Sequence, residues 1–304
     1  MIDITHKSNT LRTAIAQAVV KVSHPETIEA IQMDRVPKGN VFAMSKAAGL
    51  LGVKKTPDLL PDCHPLPIES TQIEFEIKGL EILVRCHVRT IYKTGVEVEA
   101  MHGASVVALN MYDMLKPIDK GIEIQNIKLL EKHGGKSSFK DSFPDPLRAA
   151  VIVCSDTISA GQKEDRAGKA IIENLESNGV MVSEYSIIPD EPSEIQKKVK
   201  QLVKEETHLV IFTGGTGLSK RDVTPETLEP LLERRIPGIE ETIRRYGQER
   251  MPYAMLSRSV AGTLGKTLIL ALPGSTNGAR ESMEAIFPSV LHLFKIFKGA
   301  RHDQ

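Results

Sequence analysis

The run Thr213-Gly214-Gly215-Thr216-Gly217 has the residue types and spacing best suited to chemistry in this chain. Three glycines within four positions leave backbone N–H groups unscreened by side chains, and such groups grip a phosphate or another anion. Arg221 and Asp222 follow, a cation suited to phosphate and a carboxylate suited to a metal ion or a proton. An ordinary tight turn would use the same glycines, so the flanking elements matter. Before the loop, the apolar run 208–212 reads as a short buried strand. After it, Val223-Thr224-Pro225-Glu226 reads as a helix start, with Thr224 as N-cap and Pro225 in the first turn. A strand that passes through glycines into a helix N-terminus favours anion binding.

Composition sets the frame. The 304 residues, 41% hydrophobic and 26% charged, suit about two globular domains. Lys plus Arg and Asp plus Glu both total 39, so the balance offers no basic surface for nucleic acid. No apolar run approaches the roughly 18 residues of a membrane span, and residues 1–7 lack a signal-peptide core. A cytoplasmic chain with no membrane partner is expected. Cys63, Cys86 and Cys154 are odd in number and widely spaced, which argues against disulfides and a zinc site.

Residues 134–146 are polar, rich in Pro and Gly, and without a sustained period. The predicted organisation is a first domain at 1–136, a linker at 137–147 and a second domain at 148–304. In the first, 71–78 alternates with Ile73, Phe75 and Ile77 on one face, Gly79 turns, and Leu80, Ile82, Val84, Cys86 and Val88 alternate again. That is an antiparallel hairpin with one wet face. Ala14, Ala16, Ala18, Val20 and Val22 supply a third strand, 122–130 a fourth, and 41–54 and 96–116 two helices. The prediction is α+β, ferredoxin-like.

The second half alternates instead: strand 149–154, helix 165–177, strand 180–188, helix 192–205, strand 208–212, helices 225–234 and 239–248, strand 267–272 and helix 277–298. This predicts an α/β, doubly wound, mostly parallel sheet, in which ligands bind outside the carboxyl ends of strands. Ser155 and Asp156, Asp190 and Glu191, the glycine loop, and Gly274 with Ser275 all follow strands and should share one rim. Asp190 alone is consistent with a helix-capping or loop aspartate. Beside Asp222 and a phosphate pocket, two carboxylates would repel an anion unless a divalent cation lay between them, so Mg²⁺ is expected at Asp190 and Asp222.

Residues 213–226, with Ile188-Pro189-Asp190-Glu191 and Leu272-Pro273-Gly274-Ser275, resemble the MogA/MoaB family of molybdenum-cofactor enzymes over 148–304. The shorter Gly-Gly core is shared with the MoeA and CinA families; the Arg221-Asp222-Val223-Thr224-Pro225 tail favours MogA. The resemblance implies molybdopterin adenylyltransferase activity, in which ATP adenylylates molybdopterin and diphosphate leaves. It implies Asp190 and Asp222 as functional aspartates, with Thr213, Gly214, Gly215, Thr216, Gly217, Arg221, Gly274 and Ser275 binding substrate.

The first half carries Lys38-Gly39-Asn40, Asp62-Cys63-His64-Pro65, Glu97-Val98-Glu99 and Asp113 with Lys116. Each has a plain reading. His64 could be a loop histidine, Glu97 a helix-N-terminal acid, and Asp113–Lys116 a surface i,i+3 pair of roughly 0.2–0.5 kcal/mol. Together they suit a triphosphate clamp and proton transfer. These segments resemble the MoaC family, the cyclic pyranopterin monophosphate synthases, over residues 1 to about 140. The resemblance implies conversion of 3',8-cyclo-7,8-dihydroguanosine 5'-triphosphate to cyclic pyranopterin monophosphate plus diphosphate, with no cofactor required. It implies Asp113, Lys116 and Lys38 as catalytic residues, and Asp62, Cys63, His64, Glu97, Val98 and Glu99 as substrate contacts.

Asn40, Asp62 and the pair His102-Gly103 depart from that family's pattern. Asn40 can still cap a helix, whereas Asp62 adds a negative charge beside His64. A bifunctional enzyme of one pathway follows from the two resemblances, with a threefold homo-oligomer implied as well. The alternative is that one domain is catalytically silent and serves as a pterin-binding or oligomerisation module.

Overall fold

The computed structural model describes residues 1–299, so the last five residues of the expected second domain lie outside the described residues. Two compact units divide the chain, at 1–139 and 140–304.

The first unit runs β1 (Thr10–Lys21), α1 (Pro25–Gln32), α2 (Val41–Leu59), β2 (Ser70–Lys78), β3 (Glu81–Tyr92), α3 (Glu97–Leu115) and β4 (Glu123–His133). Its four strands pair antiparallel in the order β2-β3-β1-β4. Alternation places Ala14, Ala16, Ala18 and Val20 of β1 and Val84, Cys86 and Val88 of β3 on one buried face, under Ala104, Val107, Ala108 and Met111 of α3. Small side chains let the layers approach closely. A Cβ on Gly103 would lie 2.5 Å from Val53 Cγ2 and 2.9 Å from Cys86 Sγ, so the glycine beside His102 has a packing reason. Helix α1 escapes sequence reading, and α2 extends past 54 because Pro57 lies in its last turn and is accommodated there.

The second unit follows with β5 (Arg148–Cys154), α4 (Asp156–Ser159), α5 (Ala167–Ser177), β6 (Met181–Ile188), α6 (Pro192–Lys204), β7 (Leu209–Thr213), α7 (Thr224–Leu228), β8 (Arg234–Arg235), α8 (Pro237–Gln248), β9 (Val260–Leu264), β10 (Thr267–Leu272), α9 (Thr276–Ile286) and α10 (Leu293–Phe297). The sheet order is β6-β5-β7-β10-β9-β8, parallel across its first four strands and antiparallel at β9 and β8. The central strands are buried on both faces. Val151, Ile211 and Leu270 enter one core while Ile152, Phe212 and Ile269 enter the other, which is why these strands are continuously apolar rather than alternating.

Three expected elements change. Helix 225–234 stops at Leu228 and passes into a 3₁₀ turn, Glu229–Leu231, because Pro230 removes a main-chain donor. Helix 277–298 breaks at Phe287, which Pro288 drives out of the helical region to φ −89°, ψ 144°. Thr224 lies inside α7, whose N-cap is Val223 with no side-chain cap bond. Within the expected linker, Asp141 pairs with His292 Nδ1 at 2.9 Å and Lys295 Nζ at 2.6 Å, so this part of it is tied to the second unit. No helix among the described residues is long and apolar enough to cross a membrane.

Candidate functional site

The parallel strands deliver their carboxyl ends to one rim of the second unit. Gly214 and Gly215 take φ values of 98° and 61°, which side-chain-bearing residues rarely adopt, so the loop needs glycine at both. The loop is moored to its neighbour: Thr213 Oγ1 donates to the Pro273 carbonyl at 2.9 Å, and a Cβ on Gly274 would lie 2.9 Å from Gly214 Cα. Ser275 caps α9, its hydroxyl accepting from the Gly278 N–H at 3.2 Å. Thr216, Gly217, Gly274 and Ser275 then line a cavity of about 770 Å³, with Tyr253 and Arg250 among its other walls. Arg250 stacks its guanidinium 3.3 Å from the Tyr246 ring centroid.

Asp190 and Asp222 flank the glycine loop and are not among the residues that line that cavity. A Cβ on Gly215 would lie 2.6 Å from Asp190 Oδ1, and one on Gly217 would lie 2.7 Å from Asp222 Oδ2. Asp222 Oδ2 accepts the Ser219 N–H at 2.8 Å, and hydrogen bonding to Ser219 holds its pKa low. Asp190 is the opposite case. Its Oδ2 accepts the Asp156 N–H at 3.2 Å, while its Oδ1 is buried without a partner. Burial, reinforced by the charges of Asp156 and Asp222, raises its pKa.

Arg221 is not a free phosphate cation. Its Nη2 lies 2.7 Å from Asp156 Oδ2 and its Nη1 lies 2.9 Å from Glu191 Oε1, so it ties the ends of β5 and β6 to the glycine loop. Sequence reading put Asp156 and Glu191 on the same rim as the glycine loop but did not pair them with Arg221. Sequence reasoning missed Arg258, which sits just before β9. It donates to the carbonyls of Thr216 at 3.4 Å, Gly217, and Asp222 at 2.9 Å, and pairs with Glu226. It thereby occupies loop carbonyls, while the Gly214 N–H is taken by the Leu272 carbonyl at 3.2 Å and the Gly217 N–H by Asp222, so the loop amides that can meet a ligand are those of Gly215 and Thr216.

The first unit gathers its predicted residues into two groups. Asp113 Oδ2 meets Lys38 Nζ at 2.6 Å and its Oδ1 meets Lys116 Nζ at 2.8 Å. Hydrogen bonds from Lys116, then Lys38, hold the Asp113 carboxyl at about 2. The second group is buried: Cys63 Sγ–H donates to Glu99 Oε1 at 3.1 Å, with Glu99 2% exposed. Desolvation, then that bond, pushes the Cys63 thiol up to about 12, and desolvation raises Glu99. Helical spacing sends the other acid elsewhere, so Glu97 pairs with Lys132 at 3.1 Å and Val98 stands exposed. His64 Nε2–H donates to the Ile2 carbonyl at 2.8 Å. Asp62 lies 3.0 Å from the Met1 nitrogen, which offsets the charge expected to bear on His64. Asn40 caps α2 by accepting the Ala43 N–H at 2.8 Å.

The chain thus comprises an α+β unit followed in sequence by an α/β unit that carries a glycine loop on its strand rim. Residues 1–135 match the model of the MoaC family, and residues 150–292 match the model described as "Probable molybdopterin binding domain". The chain is 42% identical over 302 residues to the "Molybdenum cofactor biosynthesis bifunctional protein" of Chlorobaculum tepidum, covering 99% of this chain and 96% of that one. It is 37% identical over 315 residues to the protein of the same description from Synechococcus elongatus, covering 99% and 98%. Over 139 residues, 45% of this chain and 86% of the relative, it is 50% identical to the "Cyclic pyranopterin monophosphate synthase" of Pelobacter propionicus. The chain belongs to the family of bifunctional molybdenum cofactor biosynthesis proteins.

Proposed function

We propose that the first unit forms cyclic pyranopterin monophosphate from 3',8-cyclo-7,8-dihydroguanosine 5'-triphosphate, and that the second adenylylates molybdopterin with ATP, each releasing diphosphate. The observation that carries the first half is the Lys38–Asp113–Lys116 cluster. One exposed carboxylate holds two ammonium groups, which an incoming polyphosphate can take over while Asp113 remains to relay a proton. The strand order β4-β1-β3-β2 supports a ferredoxin-like reading of this unit.

In the second unit, the N–H groups of Gly215 and Thr216 orient a phosphate, while the Gly214 N–H donates to the Leu272 carbonyl at 3.2 Å and Arg258 engages the carbonyls of Thr216 and Gly217. The donor set suits Mg²⁺ only in company with the ligand. The described residues contain no group of three His, Cys, Asp or Glu that could hold a metal, but the orphaned Asp190 Oδ1 and the Asp222 carboxylate can share an ion with phosphate oxygens. When bound, Mg²⁺ would supply charge neutralisation for the departing diphosphate.

A threefold homo-oligomer belongs to the same reading, supported by Met44, Leu51 and Leu109 standing more than half exposed on α2 and α3. Light scattering at several concentrations checks it. The activities are tested by diphosphate release with each substrate separately. Asp113→Ala is expected to remove only the first and Asp222→Ala only the second, while chelation by EDTA removes the second alone. Release with neither substrate would leave a pterin-binding module.

A further inference from the structure

A second cavity in the carboxyl-terminal unit, of about 490 Å³, lies where β5, β7 and β10 begin, at the pole away from the glycine loop. It shares no lining residue with the larger cavity. Arg148, Lys266 and Lys298 line it, and no carboxylate forms an ion pair with any of them among the described residues. Among the described residues Glu206 is the one acidic residue in the wall, so three cations stand against one carboxylate there.

The wall is built rather than incidental. Glu206 holds φ at 55°, a left-handed conformation uncommon without glycine. In that conformation its carbonyl accepts from Arg148 Nη2 at 3.1 Å, beside the Glu205 carbonyl at 3.0 Å, which fixes the guanidinium. His208 Nδ1 accepts the Arg148 main-chain N–H at 3.1 Å, so the neutral ring carries its proton on Nε2 and keeps a donor there. Burial, then the charges of Arg148 and Lys298, hold the His208 pKa low. Phe294 meets the His208 ring edge-on at 5.8 Å and Phe297 at 6.1 Å, giving an aromatic wall beside the cations.

We propose that this cavity binds a small molecule in which a phosphate dianion is joined to a planar ring, as in a nucleoside monophosphate. The three cations suit the dianion, His208 Nε2–H supplies a neutral donor, and Phe294 with Phe297 takes the ring. The volume lies within the range of small-molecule sites.

The test titrates the full-length protein, labelled in its histidine rings, with AMP, adenosine and inorganic phosphate, following the His208 signal by NMR. AMP is expected to shift it saturably. Lys266→Ala/Lys298→Ala should weaken that binding by about tenfold or more, and Lys266→Arg/Lys298→Arg should restore it. Adenosine at the same concentrations should leave the signal in place. A His208 signal unmoved by AMP, or an unchanged affinity in the alanine pair, overturns the site. Inorganic phosphate binding as tightly as AMP overturns the role given to the rings.

Discussion

Lys38 and Asp113 lie 75 positions apart and meet at 2.6 Å, and the same ammonium reaches the Asp113 main-chain carbonyl at 2.9 Å. Lys38 therefore anchors the last turn of α3 as well as the carboxylate. Asp113→Asn is expected to lower turnover of the first unit by about 10²–10⁴-fold, the usual range for a proton-transfer group. The folding midpoint should hardly move, because the pair is exposed. A carboxyl held below its ordinary 3.8 favours the fold above that value and loses its contribution as pH falls towards about 2. Carbon NMR of Asp113 across that window checks the sign.

Asp190 has the reverse sign. Its folded pKa is raised, so the ionised form costs stability at neutral pH, and that cost disappears as pH falls through the folded value. Asp190→Asn should abolish adenylyl transfer while raising the stability of the second unit by on the order of 1 kcal/mol at pH 7. Thermal melts and diphosphate release on the same sample decide it. A destabilised variant would show that the carboxylate is structurally satisfied.

Arg258→Ala should free three loop carbonyls and loosen the glycine loop, at a cost of about 1–3 kcal/mol. The expected kinetic signature is a KM for ATP raised about tenfold or more, with partial recovery in Arg258→Lys. Equal KM values in wild type and Arg258→Ala would reduce the arginine to a surface ion pair with Glu226.

Cys63 should be inert. With its thiol at about 12 instead of 9.0, the thiolate fraction at pH 8 falls about a thousandfold, and alkylation by iodoacetamide should slow accordingly. Glu99→Gln removes one cause of that rise, so it should speed the reaction. Mass spectrometry of timed samples measures both rates.

The rim was legible because doubly buried strands are written as unbroken apolar runs, and each one delivers its following residues to the same edge. Strand β8 was not legible, since Arg234 and Arg235 alone carry no period, and β9 is interrupted by Gly262. The catalytic roles came from resemblance to known families, and apart from the i,i+3 pair Asp113–Lys116 the long-range partners of the site residues were not named. Arg221 reaches Asp156 across 65 positions and Cys63 reaches Glu99 across 36, and such meetings depend on the fold rather than on local spacing.

Strand β7 lies between β5 and β10 with all five residues buried. Its amides should therefore exchange with deuterated solvent only when the whole unit opens, and the Gly214 amide, bonded to the Leu272 carbonyl at 3.2 Å, should follow them, while the Gly215 amide can exchange without that event. The glycine loop is thus expected to begin on the slow side of that divide at Gly214 and to cross to the fast side at Gly215.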